Sequence, residues 1–255
     1  DLASLRGSLS FRTDRITTLS TDIASLSEPT VNNYWGSAKV EYVYDNTLNK
    51  GINLWNGLRY KLFAESFRQI DKEKTWLGVV GVDARYYLKL HRQLILASRF
   101  AASTSFGDQK LVYYLGSQDN AIIPTEIFDY SIPIDFSQNY GFQAIATNMR
   151  GFLQNIRNGN SFALINNEIR FPVFQYLLNK PIRSDFIRNF QIVGFLDIGT
   201  AWTGKSPYAD DNSFNTEVIS GNPVTVTLDR QVDPVVAGFG GGIRSRLFGY
   251  FIRSD

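Results

Sequence analysis

A chain of 255 residues with 26 Lys and Arg against 24 Asp and Glu carries a net charge of +2, so it lacks the cationic excess of a polyanion-binding protein and nucleic acid is not indicated as a partner. It contains no cysteine, which excludes disulfides and thiolate metal sites. Aromatic residues are plentiful, with 19 Phe and 13 Tyr, and they favour strands over helices.

The sequence opens at Asp1 and its single methionine is Met149, so it reads as a mature form or an excised piece of a longer product. No apolar run approaches the roughly 18 to 20 residues of a transmembrane helix, whereas a transmembrane strand needs only about 9–11 with every second one apolar. A mean hydropathy of −0.16 fits such a barrel and a soluble protein equally well.

In chain order, Leu5 to Ile16 has a weak strand pattern and Thr17 to Asn33 reads as a polar loop. Ala38, Val40, Tyr42 and Tyr44 then alternate with Lys39, Glu41, Val43 and Asp45, which is the period of a half-buried strand. After a turn-rich connection from Asp45 to Gly57, Leu58, Tyr60, Leu62 and Ala64 alternate with Arg59, Lys61, Phe63 and Glu65. Beyond a Gln69–Lys74 loop, Trp76 to Leu90 forms a long pattern. Val82, Ala84, Tyr86, Leu88 and Leu90 make its outer set, and Asp83, Arg85, Tyr87 and Lys89 its inner set. His91 and Arg92 make a tight connection into Leu94–Ala102, where Arg99 points the polar way.

Phe106 to Phe152 shows no sustained period, an uncommon length for a structureless stretch unless it is functional. Strands resume at Phe162–Phe171, Gln191–Trp202 and Val235–Leu247, separated by a Phe174–Asn189 turn and a Lys205–Gln231 polar loop. Phe248 and Gly249 make a tight turn before a last strand begins at Tyr250. The strands exceed the usual 5–6 or so residues of soluble proteins, and long connections alternate with short ones, as in an outer-membrane barrel. The Gln69–Lys74 and Phe174–Asn189 connections break that rule. A soluble β-sandwich with one wet face is the competing architecture.

Two spellings invite other functions. Gly199 to Ser206 matches a P-loop, but Ser206 is followed by Pro207 and the acidic pair Asp210-Asp211 in place of a helix, and Thr200 to Trp202 continue the strand alternation. Nucleotide is therefore not expected. His91, the only histidine, sits in a tight turn and reads as a turn or interface residue. No metal-ligand cluster, catalytic constellation or cofactor motif is legible. Asp197 shares strand parity with Phe195, Gly199 and Ala201, and opposes Ile192, Leu196, Ile198 and Trp202, so its carboxylate points away from the apolar set.

Four motifs carry a specific resemblance. Met149-Arg150-Gly151-Phe152, Asn167-Glu168-Ile169-Arg170-Phe171-Pro172, Phe195 to Trp202, and Gly240-Gly241-Gly242-Ile243-Arg244 follow one another after a long loop. In that order they resemble the sixth external loop and the following strands of the outer-membrane assembly factor superfamily (the BamA/TamA type, or bacterial surface antigen family). Met149 stands where the family usually has Val. The resemblance runs from about Tyr34 to Asp255. It implies that residues 1–255 form a single domain: an antiparallel transmembrane β-barrel, partial and truncated at both ends. The chain would supply roughly the seventh through the start of the fifteenth strand of a barrel of about sixteen, within the even-numbered range of such barrels.

The implied location is the bacterial outer membrane, and the implied function is insertion or translocation of proteins there, without enzymatic activity. The implied partners are client outer-membrane or secreted polypeptides, outer-membrane lipid, upstream periplasmic domains and accessory lipoproteins. The implied site is a loop-to-lumen lock in which Arg150, Gly151 and Phe152 fold back onto Glu168 and Asp197, with Gly199 and Arg170 in support. An arginine fork suits one or two carboxylates, and an unpaired lumen charge is costly. Two alternatives stay open for Arg150 and for the protein. Arg150 is a solvated loop residue while Glu168 pairs with Arg170; the whole is a passive porin, a ligand-binding barrel or a soluble binding module.

Overall fold

The computed structural model describes residues 2–17, 30–71, 74–117, 128–135, 137–178, 180–209, 212, 215–220, 224–229 and 233–254. Most of the Thr17–Asn33 stretch, and parts of the Gln69–Lys74, Phe106–Phe152, Phe174–Asn189 and Lys205–Gln231 connections, lie outside the described residues, as does Asp255.

Strands form where the sequence alternates. The first part contains β1 (Ala3–Ile16), β2 (Val31–Asp45), β3 (Leu48–Gly51), β4 (Leu54–Gln69), β5 (Trp76–His91) and β6 (Leu94–Gly107). The long connection holds β7 (Lys110–Leu115), β8 (Tyr140–Ile145) and β9 (Arg157–Gly159). Then come β10 (Ser161–Phe171), β11 (Gln191–Trp202), β12 (Thr216–Ser220), β13 (Thr225–Asp229), β14 (Val236–Leu247) and β15 (Tyr250–Ser254). Two short helices, α1 (Val173–Leu177) and α2 (Asp185–Arg188), occupy the β10–β11 connection; the Ser184 hydroxyl caps the second by accepting from the Ile187 amide.

The principal sheet runs β1-β2-β4-β5-β6-β10-β11-β14-β15 with every neighbouring pair antiparallel, and β3 pairs additionally with β4. It is open, with β1 and β15 at its edges. The architecture is all-β and antiparallel; a closed barrel, which requires the edge strands to meet, is not formed by these residues. Among the described residues no helix is long and apolar enough to cross a membrane, which says nothing of crossing by strands.

Because side chains alternate along each strand, the register sorts them onto two faces. Cross-strand partners Leu62–Val82, Phe100–Ile165, Ile165–Ile198, Leu196–Phe239 and Ile192–Ile243 share one face. That face is the exposed one: Leu9 is 86% accessible and Phe239 84%. Aromatic rows border it. Phe11 stacks on Tyr34 and Trp76 meets Phe106 edge-on near the long connections, whereas Tyr42, Tyr60 and Tyr86 lie toward the short turns. Trp76 and Tyr86 stand ten residues apart. At ~3.3 Å per residue that is about 33 Å along the strand, and a tilt of about 40–45° reduces it to about 24 Å.

The other face is covered by the segment between β6 and β10. There β7 pairs in parallel with β8 and antiparallel with β9, giving a three-stranded sheet ordered β8-β7-β9. Tyr113, Leu115 and Met149 from this segment pack with Ala101, Phe162, Leu164 and Ala201 of the principal sheet, so the main apolar core lies between segment and sheet. Asn160 ties the segment's end to β6, donating from its side chain to the Ser105 carbonyl at 2.8 Å while its own carbonyl accepts from the Ser105 amide at 2.8 Å.

Three stretches expected to lack strands contain them. In β7, Leu111 to Leu115 is apolar without alternation because both sides of the strand are covered, so the period-two signal vanishes. The Asp45–Gly57 connection holds β3, and the Lys205–Gln231 loop holds the β12–β13 hairpin. Leu115 is fully buried in the segment–sheet core. Leu115→Ala is predicted to lower the unfolding free energy by about 2–5 kcal/mol in denaturant titration, the usual cost of such a cavity. A change under about 0.5 kcal/mol would mean that the segment does not pack on the sheet.

Candidate functional site

The covered face gathers most of the sheet's charge, and its centre is Arg150. The arginine sits in a tight turn closed by backbone bonds from the Met149 amide to the Ser117 carbonyl (3.1 Å) and from the Ser117 amide to the Phe152 carbonyl (3.0 Å). Gly151 adopts φ +87°, a left-handed conformation that favours glycine. Met149 is fully buried in the apolar core and Phe152 packs against it, which leaves the arginine to reach the sheet between two apolar anchors.

Arg150 is 7% exposed. Its Nε and Nη2 donate to the two carboxylate oxygens of Asp197 at 2.7 and 2.6 Å, a bidentate pairing, and its backbone amide donates to the same carboxylate at 3.1 Å. Its Nη1 donates to Glu168 Oε1 at 2.5 Å, and the guanidinium carbon lies 3.9 Å from the centre of the Phe195 ring. Asp197 is wholly buried. The β10–β11 register places Glu168 opposite Phe195, and Asp197 follows two residues along the same face.

Glu168 is the hub of a wider cluster. Besides Arg150 it accepts from Arg170 Nε at 2.8 Å, Arg244 Nη2 at 2.9 Å and Arg244 Nη1 at 3.1 Å. The two readings of Glu168 thus coexist: it meets both Arg150 and Arg170. The solvated-loop reading of Arg150 does not hold, given its burial. Two further contacts pin the same turn to the sheet. Arg99 Nη1 donates to Thr147 Oγ1 at 2.8 Å, and the Asn166 side chain donates from Nδ2 to the Asn148 carbonyl at 3.4 Å. From the opposite end, the β3–β4 turn offers the Asn53 carbonyl to Arg170 at 2.8 Å and the Ile52 carbonyl to Gln191 at 2.7 Å.

Room for the turn comes from β14. A Cβ on Gly238 would run into the Arg150 carbonyl oxygen and lie 3.0 Å from the Phe152 ring, and one on Gly240 would lie 2.8 Å from the Phe195 ring. Gly199 serves a neighbouring contact: its missing Cβ makes way for Leu164 and Leu115. Arg244, Gly238 and Phe195 were not among the site residues expected from sequence. Their alternation with the exposed apolar set on the same strands puts them on the covered face, but does not bring them to the Arg150 turn.

The groups that bind these carboxylates are guanidinium and backbone N–H groups, which do not exchange protons near neutrality, so the cluster can hold a position but is not equipped to relay a proton. The P-loop spelling lies partly in β11, with Gly199 to Trp202 paired to β10, and among the described residues no helix follows Ser206. His91 Nδ1 and the Tyr176 hydroxyl lie 2.8 Å apart, and Arg92 donates to the Tyr176 carbonyl, so this turn docks on α1. No group of three or more His, Asp or Glu is placed to hold a metal ion among the described residues. No protein-family model matches the sequence, and no curated protein matches it.

Gly238→Val is predicted to displace the Arg150 turn by overpacking, at about 1–3 kcal/mol in stability, while leaving the sheet paired. Limited proteolysis would show faster cleavage near residues 147–152. Unaltered cleavage kinetics would mean that the turn does not depend on that space.

Proposed function

We propose that this chain forms the later strands of an outer-membrane β-barrel of the assembly-factor superfamily, serving insertion or translocation of polypeptides and not catalysis. The observation that carries this reading is the burial of Arg150, at the tip of a folded-back connection, against Asp197 and Glu168 of the sheet. The open face supports it. Its exposed Leu, Ile, Val and Phe residues are bordered by aromatic rows spaced close to the ~25 Å apolar band of such barrels. In water an apolar patch of that extent would be an association surface.

In this reading the protein resides in the bacterial outer membrane and lipid contacts the open face. Further strands complete the wall, while periplasmic domains and accessory lipoproteins assist; no cofactor, nucleotide or nucleic acid takes part. The mechanism is non-covalent. The first and last strands of the complete barrel pair weakly, and the seam between them opens to template a client strand through backbone hydrogen bonds. Arg150, Glu168 and Asp197 act as the lock that keeps the loop on the wall, so that the wall holds its shape as the seam moves.

A passive porin or ligand-binding barrel is the second reading. It is favoured by the arginines beside the lock, Arg85, Arg99 and Arg170, since cationic rings select anions in pores. A soluble sandwich is less well supported, because the three-stranded sheet packs on the charged face and leaves the apolar one bare.

In the full-length protein, Arg150→Glu is expected to impair client assembly strongly, and Asp197→Arg in the same background to restore it in part. The readout is the amount of folded client in the membrane fraction. Wild-type assembly by the Arg150 variant would overturn the lock, and conductance with no client defect on depletion would favour the porin.

A further inference from the structure

The open apolar face does not stop where the strands end. At the short-turn end of β10, Phe171 pairs with Ile192, which is 47% exposed on that face. Tyr176 of α1 packs edge-on against Phe171, with ring centres 5.0 Å apart, and its ring also meets that of His91 in the β5–β6 turn. Phe174 lies 5.8 Å from Phe190, and Phe186 of α2 lies 6.1 Å from the same ring. The β10–β11 connection is thus joined to the apolar face through its aromatic rings. Polar bonds fix it there. Arg92 Nη1 donates to the Tyr176 carbonyl at 3.0 Å, and the Ser245 hydroxyl donates to the Phe186 carbonyl at 2.7 Å.

What the connection presents outward is apolar and cationic together. Leu177 and Leu178 are 62% and 50% exposed, and Phe186 and Ile187 are 43% and 39% exposed, so packing on the sheet leaves them largely uncovered. The connection and the strand ends docked on it carry Arg92, Lys180, Arg183, Arg188 and Arg246. Among the described residues of this region Asp185 is the one carboxylate, and both Arg188 and Arg246 reach it, the second at 3.4 Å. Lys180 and Arg183 are exposed and make no ion pair among the described residues. Such a surface suits the boundary where hydrocarbon gives way to negative charge. Leucine and phenylalanine gain by entering the acyl edge, while lysine and arginine keep their charged ends in the headgroup layer.

We infer that the β10–β11 connection is an interfacial anchor, which lies in the headgroup layer at the short-turn end and takes anionic phospholipid there. The inference rests on the proposal that lipid covers the open face. It adds where the connection lies and which charge of lipid it prefers.

The chain has no cysteine, so one introduced thiol can carry a fluorophore at a chosen site. The intact protein is reconstituted in phosphatidylcholine vesicles, with bimane at Leu177→Cys in one sample and at Phe239→Cys, on the open face, in another. Small amounts of spin-labelled phosphatidylcholine or spin-labelled phosphatidylglycerol then quench the label they touch. Quenching is expected at both positions, and at Leu177→Cys the anionic lipid is expected to act at about tenfold lower concentration or less. Lys180→Gln combined with Arg183→Gln is expected to cut that preference about tenfold, since each cation near an anionic surface is worth about fivefold. Both side chains are exposed, so the fold is expected to tolerate the change. Quenching at Phe239→Cys and none at Leu177→Cys would overturn the anchor and leave the lipid-facing sheet standing, whereas quenching at neither would overturn both. Equal quenching by the two lipids, or a preference that survives the double variant, would also overturn the inference.

Discussion

A guanidinium taken out of water must find counter-charge, and the arrangement of loop and sheet follows from where Arg150 finds it. Desolvating each ion costs several kcal/mol, and each charge-assisted hydrogen bond returns about 1.5–3 kcal/mol. With three side-chain bonds to Asp197 and Glu168, gain and cost are of the same order. Such a cluster adds little net stability compared with an apolar replacement, but it tolerates no other placement of the loop, because any shift strands a buried charge. Stability comes from beside it, from the apolar packing of Met149, Leu115 and Phe152 on Phe162 and Leu164. One set of contacts supplies energy and the other supplies position.

That division extends across the sheet. Strand alternation sends Leu, Ile and aromatic side chains to the open face and charged ones to the covered face, the inverse of a water-soluble sheet whose apolar side is hidden. The covered face therefore has to satisfy its charges internally. It does so in patches, Lys39 with Glu41, Arg85 and Arg99 with Asp83, and the three arginines around Glu168.

Much of this was legible in the residues. Period-two alternation from Trp76 to Leu90 gave the faces of β5 correctly, and the parity of Asp197 put its carboxylate on the charged side. Arg150 was found through the motif order, since nothing in its own neighbourhood betrays a partner 47 residues away. What stayed hidden has physical reasons. The strand β7 is covered on both sides and so loses its alternation; Gly238 matters through a space that only the folded loop defines; Arg244 meets Glu168 from a strand 76 residues on. The sequence pattern reports faces well, and it reports encounters between faces poorly.

The central claim is that Arg150 and Asp197 act as one unit, and a double-mutant cycle tests it most directly. Arg150→Ala, Asp197→Ala and the double variant, each unfolded by denaturant, yield the coupling free energy. A buried, bidentate pair predicts coupling above about 1.5 kcal/mol. Single effects that add to within about 0.5 kcal/mol would contradict the account, because the loop and the sheet would then be held together by something else.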